Sequence, residues 1–86
     1  MKPYTIERYI KTEFGEWVAS RLIKHDMKLK HFNDKIGYGY LTTRNYLTGK
    51  VDPSYHYLVA VATLFSKLEK RPRPDVMCEI IRILVK

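Results

Sequence analysis

Gly37 and Gly49 constrain this chain more than any other residues. Each follows a short segment whose inward residues recur at helical spacing: Phe32 and Ile36 before Gly37, and Thr43, Tyr46 and Leu47 before Gly49. A glycine after the last such residue is the usual helix stop, because it enters the left-handed conformation without a Cβ clash. The spacing predicts helices over about Leu29–Ile36 and Tyr40–Thr48. Both are shorter than the roughly 12–15 residues at which an isolated helix becomes marginally stable in water. They must be held in place by neighbouring helices that supply a core.

Those neighbours are visible on both sides. Ile6, Tyr9, Ile10, Phe14, Trp17, Val18 and Leu22 share one side of a helical stretch from about Thr5 to His25. Gly15 weakens its middle by about 1 kcal/mol relative to alanine, and Thr12 can cap a fresh start there. Asp26 and Met27 make a short connection. After Gly49, Asp52 stands where an N-cap belongs and Pro53 where the first helical residue belongs. That helix runs to about Leu68 with Leu58, Val61, Ala62 and Phe65 inward. The prolines of Lys70-Arg71-Pro72-Arg73-Pro74 break it, and Asp75 caps a last helix from Val76 to about Val85. Strand-type alternation is missing. The expected fold is all-α: one compact domain over residues 1–86. It has five helices, or six if Thr12 restarts the first. A helix-turn-helix core covers about 13–66 and the C-terminal helix about 75–86.

Composition narrows the function classes. The 86 residues are 45% apolar and 29% charged, which suits one globular core rather than disorder. The single cysteine, Cys78, excludes an internal disulfide and reads as a small core residue among aliphatics. Residues Met1 to Ile10 contain no secretory apolar core. The longest apolar run, around Tyr57–Ala62, falls far short of the roughly 18 residues that span a bilayer. A cytoplasmic protein with no membrane partner is expected. His25, His31 and His56 lack metal-ligand spacing with one another or with Cys78, and His56 is expected to be exposed. There is no phosphate-binding glycine loop, and Ser20 and His25 are too far apart on a helix to meet. We therefore expect no enzyme, no metal and no cofactor.

The formal net charge is +7, and it is unevenly distributed. Residues 21–50 carry seven basic side chains (Arg21, Lys24, Lys28, Lys30, Lys35, Arg44 and Lys50) against two acidic ones, Asp26 and Asp34. The first 20 residues balance at three against three, and residues 51–66 hold only Asp52. The excess lies on the two short helices and their flanks, where it can attract a polyanion. The bland alternative is a solvated charged face.

Two short helices joined by Ile36-Gly37-Tyr38-Gly39 have the form of a helix-turn-helix. From about Phe14 to Phe65 the chain resembles the lambda-repressor-like, Cro/C1-type (XRE) family. Phe14-Gly15-Glu16-Trp17 looks like the opening of that family's first helix. Met27, Phe32, Ile36 and Gly37 match its apolar and glycine positions. Tyr46, Gly49-Lys50 and Pro53-Ser54 match the third helix, the loop after it and the fourth-helix start. Leu58, Ala62 and Phe65 match the fourth helix. The chain departs from the family at Leu29, where Gln is usual, and at Asn33, where Ala is favoured. It departs again at Leu47, often Glu, and at Gly39-Tyr40, often a polar pair.

The resemblance implies double-stranded DNA as the partner, in a prokaryotic or phage context, with the protein at the nucleoid. It turns Tyr40, Leu41, Arg44 and Asn45 towards the major groove. There Asn pairs with adenine, Arg with guanine, and Leu with a thymine methyl. Plain exposure is the alternative for Arg44 and Asn45. Lys28, Lys30 and Lys50, with the hydroxyls of Tyr38, Thr42 and Thr48, would meet phosphates. For Tyr38, packing over the turn is the first reading.

The last helix is apolar on more than one face, so Met77, Ile80, Ile81 and Leu84 either close the core or contact a second copy in a homodimer. The reading that follows is a small dimeric repressor. The alternative is a protein-interaction module on the same scaffold, antirepressor-like, that binds another regulator protein.

Overall fold

The computed structural model describes residues 12–85. Among them the chain forms five α-helices and no strand: α1 (Glu13–Lys24), α2 (Leu29–Ile36), α3 (Tyr40–Thr48), α4 (Tyr55–Glu69) and α5 (Arg73–Leu84). The all-α expectation holds. None of these helices is long and apolar enough to cross a membrane.

Each boundary has a local cause. Thr12 is extended, and its hydroxyl accepts from Gly15 N at 2.9 Å, so α1 starts at Glu13. The part of the expected first helix that holds Ile6, Tyr9 and Ile10 lies outside the described residues. Glu13 and Glu16 in the first turn and Arg21 and Lys24 in the last match the helix dipole. Gly37 and Gly49 end α2 and α3 at φ of 80° and 81°, in the left-handed region.

Two starts differ from expectation. The fourth helix begins at Tyr55, not Pro53, because Ser54 rather than Asp52 caps it: the Ser54 hydroxyl accepts from Tyr57 N at 3.1 Å. The last helix begins at Arg73, with Pro72 as its N-cap residue and Pro74 in the first turn. Asp75 lies inside that turn and is not the cap. First-turn N–H groups have no intrahelical partner, so proline loses nothing there. At the other end of α4 the chain reverses through Lys70, a non-glycine residue at φ 54°.

The core draws on every helix. Phe14, Val18 and Leu22 of α1 meet Phe32 and Ile36 of α2, Leu47 of α3, and Tyr57, Val61, Ala62 and Phe65 of α4. Phe65 is its centre: Trp17 packs edge-on at 5.5 Å, and Phe32 stacks at 5.9 Å. The helix α5 packs chiefly on α4 and closes the core with Val76 and Ile80.

That packing corrects two expectations. Cys78 is exposed and is not a core residue. Ile80 is completely buried, so it has no surface to offer a second copy. A helix that is apolar on several faces carries no periodic signal for which face is inside; the contact with α4 decides it.

Candidate nucleic-acid interface

The helix α3 has two different sides. Thr43 and Leu47 are buried, and Tyr46 is half-buried with its ring 4.5 Å from that of Tyr57. Polar bonds fix this side. The buried Tyr57 hydroxyl donates to Thr43 Oγ1 at 3.1 Å, and Thr43 Oγ1 donates to Asn33 Oδ1 at 2.6 Å. One chain of hydrogen bonds thus ties α4, α3 and α2 together. Burial pushes the Tyr57 phenol well above its ordinary value, so it stays protonated and remains a donor. Tyr38, in the turn, packs edge-on against the same ring at 5.0 Å, so the structure places it over the turn.

The far end of α3 is tied to α1. The Thr12 hydroxyl that caps α1 donates to the Leu47 carbonyl at 3.0 Å. The approach is close enough that a Cβ on Gly15 would lie 2.6 Å from that carbonyl oxygen.

The other side of α3 faces outward. Leu41 is 61% exposed and Tyr40 45%; Arg44 is exposed, while Thr42, Asn45 and Thr48 are half-buried. The Thr48 hydroxyl donates back to the Arg44 carbonyl at 2.9 Å, so it must rotate to reach a phosphate. Tyr40 and Lys30 line one groove of about 430 Å³ together with Leu29, Asp34 and Tyr38, which joins α2 and the start of α3 in one surface. Lys28, Lys30, Lys35 and Lys50 are all exposed.

The starts of α2 and α3 lack the side-chain caps that α1 and α4 have. Lys28 and Gly39 are extended N-cap residues, neither helix has a side-chain cap, and neither has an acid in its first turn. N–H groups at such a start, under the positive end of the helix dipole, favour an anion.

One group of charges is used internally. All ion pairs within 4 Å among the described residues join Arg21, His25 and Arg71 to Glu69 and Glu79. The Glu69 side chain is 6% exposed; Arg71 reaches it at 3.0 Å, His25 at 3.1 Å and Arg21 at 3.4 Å. Burial pushes the Glu69 carboxyl up, but the bonds from His25 and Arg71 and the Arg21 charge outweigh it and hold the group below its ordinary value. The Arg71 hydrogen bond holds Glu79 low as well. The lysines around α2 and α3 lie outside this network.

Sequence reasoning missed both polar ties. Asn33 read only as a departure from the family pattern, and Thr43 only as an inward position. A clue was available: both are polar residues at positions the helical spacing turns inward, and a buried polar group needs a partner. The ion network left no such clue, since its members come from α1, α4, α5 and the turn between the last two.

The remaining expected residues fall as follows. Of the dimer set, Ile81 is 45% and Leu84 39% exposed, and Met77 is half-buried against the core. His31 and His56 are exposed. No group of three or more potential metal ligands forms among the described residues. No family model, no curated protein and no solved structure matches the chain.

Proposed function

We propose that the protein is a sequence-specific DNA-binding transcriptional regulator, a small repressor of the Cro/C1 type, which lays α3 in the major groove. The observation that carries this reading is the division of α3 into a pinned inner side and a solvent-exposed outer side. A recognition helix needs both: rigid support, and side chains presented to base edges. On this reading Tyr40, Leu41, Arg44 and Asn45 face bases. Lys28, Lys30, Lys50, Tyr38, Thr42 and Thr48 face phosphates, aided by the uncapped start of α2. Met77, Ile81 and Leu84 face a second copy, so that two recognition helices enter successive grooves. The protein would then act in the cytoplasm, at the nucleoid.

The test is selection from random and genomic duplexes by the purified protein, at low and at physiological salt. Saturable binding to a few sequences that persists at physiological salt is expected. Uniform weak binding that disappears as salt rises would reduce the interaction to its electrostatic part and end the regulator reading.

One observation favours a second reading, a module that binds another regulator protein. Arg44 is the single charged side chain on α3, and its exposed large apolar side chains are Tyr40 and Leu41. Replacing Lys28 and Lys30 with glutamine separates the two readings. It weakens DNA binding and leaves an apolar protein contact at α3 nearly unchanged.

A further inference from the structure

We propose that the groove between α2 and α4 docks an acidic amphipathic helix. Ala60, Thr63, Leu64, Lys67 and Leu68 line one wall. They recur at the spacing of a single helix face, so α4 carries one continuous stripe beside the face it buries, half-buried at Ala60, Thr63 and Leu64 and exposed at Lys67 and Leu68. Across it stand Met27 and Lys35, and the space between holds about 450 Å³. Met27 also borders a smaller groove at the end of α1, where Ile23 is 53% exposed, so the apolar floor continues in that direction. From Ala60 to Leu68 the stripe rises about 12 Å, at about 1.5 Å per residue, which matches two turns of a partner helix.

The charges define the partner. Lys35 and Lys67 are the ionised side chains on this lining, both are exposed, and neither enters an ion pair of the described residues. The only acid on the lining of the adjoining groove is Asp26. Two ammonium groups over an apolar floor select a helix with apolar residues at helical spacing and carboxylates flanking them. A nucleic-acid backbone has nothing to bury on such a floor. None of the residues assigned to DNA lines this groove, so the inference stands independently of the DNA reading.

The probe is a synthetic peptide of about four helical turns, with leucines at helical spacing and glutamates beside them. It is titrated into the full chain by fluorescence anisotropy, and its position is mapped by amide chemical shifts. Saturable binding with shifts along Ala60–Leu68 is expected. Reversing both charges, Lys35→Glu with Lys67→Glu, should weaken it roughly tenfold, from two exposed pairs. The same double variant should gain affinity for a lysine-flanked version of the peptide, a rescue that misfolding cannot produce. The proposal is overturned by no saturable binding, or by equal binding of a peptide with the same composition and scrambled leucines. It is overturned equally by shifts centred on Tyr40, or by a self-associated chain that Leu68→Glu returns to monomer, which would assign the groove to a second copy.

Discussion

The hydroxyl of Thr12 donates to the carbonyl oxygen of Leu47 at 3.0 Å while accepting from the start of its own helix. One side chain thus ends the orphan status of an N–H at the beginning of α1 and a C=O at the end of α3. Replacing Thr12 with alanine loses the cap, worth about 1 kcal/mol, and frees the last turn of α3 as well. Urea unfolding should show a loss of at least that size.

Gly15 makes the same junction testable from the other side. On helix propensity alone, Gly15→Ala should stabilise α1 by about 1 kcal/mol. The new Cβ would stand 2.6 Å from the Leu47 carbonyl oxygen, a backbone atom that cannot step aside. We expect Gly15→Ala to be net destabilising. A raised Tm for this variant would show that the two helices do not meet as closely as described.

The Tyr57–Thr43–Asn33 chain of hydrogen bonds is buried throughout. Thr43→Val keeps the shape and removes the hydroxyl that both neighbours use. A buried polar group left without its partner costs about 1–3 kcal/mol, so a loss in that range is expected. A double-mutant cycle with Tyr57→Phe should give a clear coupling energy, since the residues share one bond. Simple additivity of the two substitutions would count against the network.

Acid should weaken the tie between α1, α4 and α5. Glu69 and Glu79 are both held below the ordinary carboxyl value of 4.5 in the folded chain. Their contribution is complete above that value and is lost as pH falls through the lower folded-state values. Stability measured by denaturant should therefore drop below about pH 4.5. In Glu69→Gln the drop should be shallower, from a lower starting stability. The same pH slope in both proteins would remove Glu69 from the account.

On the DNA reading, two kinds of substitution separate by their signature. Removing Lys28 or Lys30 should lower the slope of log affinity against log salt by about 0.9 for each phosphate no longer neutralised, on every sequence. Removing the Asn45 amide should instead relax preference at one base pair, by about 1–3 kcal/mol. Binding isotherms on matched and mismatched duplexes at several salt concentrations measure both. An Asn45→Ala variant with unchanged preference would take Asn45 out of the readout.

The boundaries of the two short helices were legible in the chain because their causes are local. A left-handed glycine at 37 and at 49 stops a helix wherever the chain goes next. The start of α4 was not, since Asp52 and Ser54 are both good cap residues and only the observed hydrogen bond selects Ser54. The outward placement of Tyr40, Leu41 and Arg44 was legible from spacing. The support behind them was not, because Asn33, Thr43 and Tyr57 come from three different helices.

Helix as the regular element of the described residues, the stops of α2 and α3 and the positive segment around them are all written in the chain itself. These depend on backbone preference and on neighbours a few residues apart. Helix packing alone settles that Ile80 is inside and Cys78 outside, that Glu69 sits among three basic partners, and that one threonine holds α1 to α3. Burial and pairing depend on which helices meet, and those meetings join residues that no local pattern connects.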